Sequence, residues 1–436
     1  MAVGGRPVTT FRFSTDSTTG NNTVADNDKW IVDAGVTISV SNDDAFFGYQ
    51  RFTGNSFRIS GTVESNGPFY AFLMRGDNTR IAVEPTGAIT SDRVAIWMRG
   101  DSSSVINKGL VDATNFAIRF FGNRDHLINE GTVSSDNTAA YFGGLGGDAH
   151  NSGTITGLVG VNLNTLAGKA FNLFNSGTIE GSKYAIVGNA ARQVITNEGT
   201  INGDVYLRDG ADAFISRGGT VTGSVYGGNG NDAYTIDNAA LLLVELANGG
   251  IDTVKSSVTN VLGVNFENLV LTGNARTDGT GNTIANEITG NGLGNRLSGL
   301  GGADALHGGR GWDALFGGWG KDALFGEAGN DKLNGGSGAD SLVGGIGNDT
   351  LTGGLGIDTF VFARSDGADR VTDFAANGTA HDILDLSNIA AIVGFWDLTH
   401  HHMTQSGADV VITYPTGTIT LENVDIADLA KDDFLF

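Results

Sequence analysis

The chain has 436 residues, of which 68 are Gly, 4 are Pro and none is Cys. Glycine at that level, without proline or a collagen period, calls for a fold rich in tight turns rather than a linker, and the missing thiols exclude disulfides and thiolate metal sites. A net charge of −22 repels nucleic-acid phosphates and anionic lipid heads and attracts cations, so nucleic acid is not an expected partner.

Met1–Phe11 contains no apolar stretch of signal-peptide length, and no run approaches the roughly 18 apolar residues of a membrane span. An export address, if the chain is exported, is therefore expected elsewhere. Residues 1–30 read as an N-terminal cap. From residue 31 to 225 a phrase recurs: Asn107-Lys-Gly-Leu, Asn129-Glu-Gly-Thr, Asn151-Ser-Gly-Thr, Asn175-Ser-Gly-Thr and Asn197-Glu-Gly-Thr. Its glycine extends both ways, from Gly35, Gly61 and Gly87 to Gly219, at spacings of 20 to 26. Between the glycines lie short β-branched runs, such as Thr178-Ile179, Tyr184–Val187 and Gln193–Thr196. Three short strands in about 22 residues make one rung of a parallel β-helix. Rungs stack about 4.8 Å apart, so the recurring Asn is expected to form a ladder, each amide bonding to the next. That role is structural. The two Arg-Gly-Asp tripeptides, Arg75–Asp77 and Arg99–Asp101, read as similar loops of neighbouring rungs.

At the end of this region Gly210-Ala-Asp212-Ala-Phe214, Gly230-Asn-Asp232-Ala-Tyr234 and Gly250-Ile-Asp252-Thr-Val254 share one pattern at a spacing of 20. Residues 226–298 are therefore expected to be transition rungs of one continuous solenoid, which narrows from about 22 to 20 to 18 residues per turn. Residues 299–361 follow a strict period of nine. Units begin at Gly299, Gly308, Gly317, Gly326, Gly335, Gly344 and Gly353. Position six is Asp304, Asp313, Asp322, Asp331, Asp340, Asp349 and Asp358; position eight is Leu six times and Phe360 once. Leu300 and Glu327 depart from glycine at position two.

The first six residues of each unit are expected to turn, with glycine permitting positive φ and close backbone approach, and residues seven to nine to form a strand burying position eight. Two units then complete one coil. Asp304, Asp322, Asp340 and Asp358 would line one edge, and Asp313, Asp331 and Asp349 the other. Unneutralised carboxylates stacked about 5 Å apart would repel, so they imply a cation between successive turns. Several hard oxygens and no nitrogen or sulfur suit calcium. Asp212, Asp232 and Asp252 are candidates for an early start of the calcium column.

The pattern G-G-x-G-x-D-x-U-x over 299–361 resembles the RTX, or repeats-in-toxin, family, and the resemblance extends over roughly 227–436. It implies a parallel β-roll that folds on calcium. It also implies ligands from the Asp and from carbonyls of loop positions one to four: Gly299, Gly302, Gly308, Gly309, Gly311, Gly317, Gly318, Gly320, Gly326, Gly329, Gly335, Gly336, Gly338, Gly344, Gly345, Gly347, Gly353, Gly354 and Gly356. Residues 362–436 resemble the segment following such arrays, through Val371-Thr-Asp-Phe374, Asp382–Ser387, Gly407–Ile412, Ile419-Thr-Leu421 and Asp432–Phe436. The resemblance implies that this segment caps the roll and that its acidic and apolar end is an uncleaved type I secretion signal. The secretion machinery is then a partner, and the protein is secreted, extracellular or on the cell surface.

No H-E-x-x-H protease or G-x-S-x-G lipase motif is present. Before residue 225 the only Lys are Lys29, Lys108, Lys169 and Lys183, and the only His are His126 and His150, too scattered to build a lyase or epimerase groove. His400-His401-His402 reads as an exposed turn. Trp312, Phe316, Trp319 and Phe325 fall at positions expected to face outward or sit in loops, as a contact surface for another copy or for the cap. The fold expected is all-β, a parallel β-helix of about 22-residue rungs continuing into a calcium-binding β-roll. The role expected is structural and not enzymatic: a surface layer, filament, matrix component or adhesin that assembles with itself in calcium. The alternative is a polysaccharide-binding or polysaccharide-modifying protein.

Overall fold

A computed structural model describes residues 8–18, 22–24, 26–41, 43–48, 52–166, 168–364, 366–376 and 381–436. Residues 1–7, 19–21 and 25 of the expected N-terminal cap lie outside them. The chain divides into two compact units, residues 1–235 with 240–250, and residues 236–239 with 251–436. The division falls inside the segment expected to be transitional. Each unit is a parallel β-solenoid. Among the described residues no helix is long and apolar enough to cross a membrane.

In the first unit a rung has three short strands. Ser104–Asn107, Leu110–Ala113 and Phe116–Phe120 pair in parallel with Asp125–Asn129, Thr132–Ser135 and Thr138–Phe142 of the next rung. Side chains alternate in and out along each strand, and the inward ones stack in register. Ile81, Val105, Leu127, Ala149, Leu173 and Ile195 form one such column, all buried. The expected asparagine ladder is present. Nδ2 of Asn107 donates to Asn129 Oδ1 at 2.8 Å, Asn129 to Asn151 at 2.7 Å, Asn151 to Asn175 at 2.7 Å and Asn175 to Asn197 at 2.8 Å. The two Arg-Gly-Asp tripeptides are stacked loops, as expected. A Cβ at Gly100 would lie 2.1 Å from the Gly76 carbonyl oxygen, and Asp101 N–H donates to Asp77 Oδ1 at 2.7 Å.

In the second unit each coil has two strands. One stack runs through Ala305–Arg310, Ala323–Ala328, Ser341–Ile346 and Thr359–Ala363; the other through Arg296–Gly301, Ala314–Trp319, Lys332–Ser337 and Thr350–Leu355. Leu306, Leu324, Leu342 and Phe360 face Leu297, Leu315, Leu333 and Leu351 as two buried columns. Here the expected boundary of turn and strand is corrected. Each strand has six residues, continuing from position seven through position three of the next unit, so only positions four to six turn. Glycine at position one, followed by a position-two residue of positive φ, lets backbone from adjacent coils approach closely enough to pair. The two-strand coil also begins before the strict motif. Thr253–Ser256 pairs with Asn268–Leu271 and that with Glu287–Thr289.

Glycines serve two ends in the array. Position four takes positive φ, as at Gly302 (115°) and Gly320 (133°), and position two does so at Gly309 and Gly318. Leu300 (φ 77°) and Glu327 (φ 73°) hold the same left-handed conformation at a cost of roughly 1–2 kcal/mol each.

Beyond the array, Ala368–Val371 continues one stack and pairs with Gly417–Leu421, which folds back antiparallel through Asp409–Tyr414 to Met403–Ser406. The other stack continues through Ile383–Asn388 to Phe434–Leu435. The coil ends are thereby covered, limiting exposed ladder edges. His400 and His401 are exposed on a turn, as expected, and His402 is half-buried rather than exposed; the turn is helical, Phe395–His402. Its internal bonds explain this: His400 Nδ1 lies 2.8 Å from the Trp396 carbonyl and His401 Nδ1 lies 2.8 Å from Asp397 Oδ1.

The asparagine ladder makes a testable demand. Asn151→Ala leaves Oδ1 of Asn175 without its donor and takes one of the acceptors of Asn129 Nδ2 away in a buried stack, so it should destabilise the first unit by about 1–3 kcal/mol. The urea midpoint of the full chain, compared with that of the exposed Ser152→Ala, measures it.

Candidate metal centre

Each repeat aspartate sits where a turn enters a strand and is buried, at no more than 2% exposure. From Asp322 onward its Oδ1 accepts a hydrogen bond from the backbone N–H of the aspartate one coil earlier. Asp304 N–H donates to Asp322, Asp313 to Asp331, Asp322 to Asp340 and Asp331 to Asp349, each at 2.8 Å, and Asp340 to Asp358 at 2.9 Å. The two edges expected from the period are therefore two separate aspartate columns. Oδ2 of all seven is buried and has no hydrogen-bond partner.

Those second oxygens point at position one. The space a Cβ would fill at Gly317 lies 2.4 Å from Asp322 Oδ2 and 2.5 Å from the Gly335 carbonyl oxygen. At Gly326 the corresponding distances are 2.6 Å to Asp331 Oδ2 and 2.5 Å to the Gly344 carbonyl; at Gly335 they are 2.4 Å to Asp340 Oδ2 and 2.6 Å to the Gly353 carbonyl. Gly299 and Gly308 repeat this with Asp304 and Asp313, and Gly344 and Gly353 abut the Oδ2 of Asp349 and Asp358. Position one thus stays glycine because a Cβ would fill a cradle of oxygens. A carboxylate of one unit and a carbonyl of the next coil meet there, which is a donor set for a hard divalent cation and fits calcium. The position-two and position-four glycines stack in their own columns: a Cβ at Gly336 would meet the Gly318 carbonyl at 2.3 Å, and one at Gly320 the Gly302 carbonyl at 1.6 Å.

The columns are longer than the nonapeptide count. Asp349 N–H donates to Asp369 Oδ1 at 2.9 Å and Asp358 N–H to Asp382 Oδ1 at 3.0 Å. Sequence reading missed both because insertions stretch the spacing to 20 and 24 residues. At the other end Asn286 and Asn295 donate to Asp304 and Asp313. In the first unit Asp212 and Asp232 share the geometry: Asp212 N–H donates to Asp232 Oδ1 at 2.7 Å, and Asp212 is 1% exposed. Around Gly227 the Asp232 carboxylate, the Glu245 carboxylate and the Tyr234 hydroxyl converge, the last two in a direct hydrogen bond. Asp252, in the second unit, is fully buried and its N–H donates to Glu267 at 2.8 Å, where the next coil carries glutamate instead of aspartate. Asp125 was not foreseen because no G-x-D signal marks it. Its Oδ1 accepts from Ser103 N–H at 2.9 Å while Oδ2 is buried without a partner.

Burial pushes these carboxyls up from 3.8: Asp304 and Asp331 to about 7, and Asp313, Asp340, Asp349 and Asp358 to about 6. The backbone N–H on Oδ1 opposes the rise, and neighbouring aspartates add to it in Asp304, Asp331, Asp340, Asp349 and Asp358. Asp322 moves the same way. A carboxyl whose folded pKa is raised stabilises the fold below its unfolded value, and that stabilisation is lost as pH rises through the folded value. Cation-free, the array should therefore hold more strand at pH 4 than at pH 8. A bound cation must displace those protons, so the calcium midpoint should move to higher concentration as pH falls from 8 through 7 to 5.5. Calcium titrations followed by circular dichroism at these pH values check both, and a pH-independent midpoint contradicts them.

A profile for the RTX calcium-binding nonapeptide repeat, in four copies, matches residues 289–324 and 325–360. No curated protein matches the chain. Among solved structures it is similar to the extracellular lipase LipA of Serratia marcescens, at 19% identity over 63% of this chain and 41% of that one, with a TM-score of 0.19. It is also similar to the AlgE6R3 subunit of the Azotobacter vinelandii mannuronan C5-epimerase, at 25% identity over 35% of this chain and 79% of that one, with a TM-score of 0.17. The chain spans less than half the length of the lipase. Residues 289–360 are RTX calcium-binding nonapeptide repeats.

Proposed function

We propose that this chain is an extracellular structural protein of a surface layer, filament or adhesive matrix, and that calcium outside the cell folds it and licenses its assembly. The observation that carries the reading is the pair of buried aspartate columns whose second oxygens have no protein partner. Within the array the calcium ligands are Asp304, Asp313, Asp322, Asp331, Asp340, Asp349 and Asp358 with the carbonyls of loop positions one to four, and Asp369 and Asp382 extend them. Asp212, Asp232 and Asp252 are candidate sites outside the strict motif.

Magnitudes support coupled folding. At calcium ten times above Kd each site contributes about 1.4 kcal/mol. Five to seven sites then supply roughly 7–10 kcal/mol, comparable to the whole stability of a domain. Sites with Kd on the order of 0.1–1 mM stay empty in a cytosol and fill outside. The C-terminus supports the same sequence of events. Within an export signal at 432–436, Phe434 is buried and pairs with Leu384 on the roll, so its ring is accessible only before the coil closes, while Leu435 and Phe436 stay exposed. Assembly is supported by large apolar side chains left outside on the roll. Trp312 and Trp319 are 72% and 76% exposed, and Leu355 stands two coils from Trp319 in the same column. Phe316 and Phe325 are half-covered instead, by Arg296 and His307.

Circular dichroism and electron microscopy of the purified chain, with millimolar calcium and with EGTA, test the proposal. Strand content and ordered assemblies should both appear with calcium; unchanged strand content in EGTA would sink it. Deletion of the last ~50 residues should trap the protein inside the cell, and continued export would refute the signal.

A further inference from the structure

The first unit carries a group of arginines that form no ion pair with its own acids. Trp97, Arg119 and Tyr141 are in register on three consecutive strands. The Arg119 guanidinium lies 5.0 Å from the Trp97 ring, 4.5 Å from Phe116, 4.6 Å from Phe121 and 5.4 Å from Tyr141. Arg99 lies 5.3 Å over Trp97, and Arg93 lies 5.0 Å over Tyr70, whose ring is 5.1 Å from that of Trp97.

Among the described residues none of these three arginines forms an ion pair with a carboxylate. Arg93 donates to the Pro68 carbonyl at 2.8 Å; Arg119 Nε and Trp97 Nε1 are buried donors with no acceptor. Stacking a guanidinium on rings is worth about 0.5–2 kcal/mol and explains how Arg119 is held. It does not explain why three cations gather on one face of a chain whose net charge is −22. Gathering them costs repulsion that an anionic ligand would relieve.

Ring faces and guanidinium forks together suit an acidic sugar. The rings stack on the apolar faces of pyranoses, and arginine grips carboxylates in bidentate fashion. Rungs are about 4.8 Å apart, close to the advance of one sugar along an extended glycan. A nucleic acid offers similar chemistry, but its duplex carries a charge every ~1.7 Å and meets the full repulsion of the acidic chain. We propose that the face built on Trp97, Arg119 and Tyr141 binds a linear acidic polysaccharide, its rings against sugar faces and Arg93, Arg99 and Arg119 on uronate carboxylates. This site does not depend on the calcium-driven assembly, and either can fail alone.

Isothermal titration of the full chain in calcium, with hexamers of galacturonate or mannuronate, tests it. Short oligomers avoid calcium gelling of the polymer. The acidic hexamers should bind at least ten-fold more tightly than maltohexaose or hexathymidylate. Trp97→Ala and Arg119→Ala should weaken binding ten-fold or more. The double variant Arg93→Ala/Arg99→Ala changes only exposed side chains and keeps the test open if the other two misfold. Tyr206→Ala, on a separate tyrosine stack, should leave affinity unchanged. Absence of binding, equal affinity for the neutral or nucleotide hexamer, or full affinity in the folded arginine variants would overturn the proposal.

Discussion

Aspartates stacked one coil above another, each with one oxygen committed to a backbone N–H and the other turned toward a glycine, set the terms for the second unit. The N–H bond on Oδ1 fixes the side chain so that Oδ2 cannot swing to water. Burial then raises the cost of the charge, as the carboxyls pushed to about 6 or 7 record. A column of this kind is compatible with a stable neutral-pH fold only when something positive sits between the coils. This is the physical basis for the proposal that calcium binding and folding are a single event.

Glycine follows from the same constraint. At position one a Cβ would occupy the place where carboxylate and carbonyl meet, and at position four the chain must turn with positive φ. The leucine columns supply ordinary hydrophobic burial, but each nonapeptide presents only one large buried side chain. The roll has little apolar area per residue to offset its ordering entropy, and the cation makes up the difference.

Over residues 107–197 the first unit solves its stacking with neutral groups. Its asparagine ladder gives the amides of Asn129, Asn151 and Asn175 a partner above and below, and its column of Ile, Val and Leu fills the interior. Stability there is internal. Outward positions are then free to carry other chemistry, and the aromatic and arginine face uses that freedom.

The period by itself determined most of the architecture. Strict spacing of nine placed Asp304, Asp322, Asp340 and Asp358 on one edge and Asp313, Asp331 and Asp349 on the other, because in a solenoid distance along the chain maps directly onto distance in space. The asparagine ladder was legible for the same reason. Where the spacing slips, only the tertiary structure decided. Asp369 and Asp382 join the columns across insertions that the backbone pairing absorbs, and Asp125 enters a similar corner with no motif at all. The six-residue strands were hidden because glycine, a poor strand former alone, is held extended by its neighbours above and below. The cage around Arg119 draws its four rings from three successive rungs. No local pattern announces it, since what gathers those side chains is register between strands rather than order along the chain.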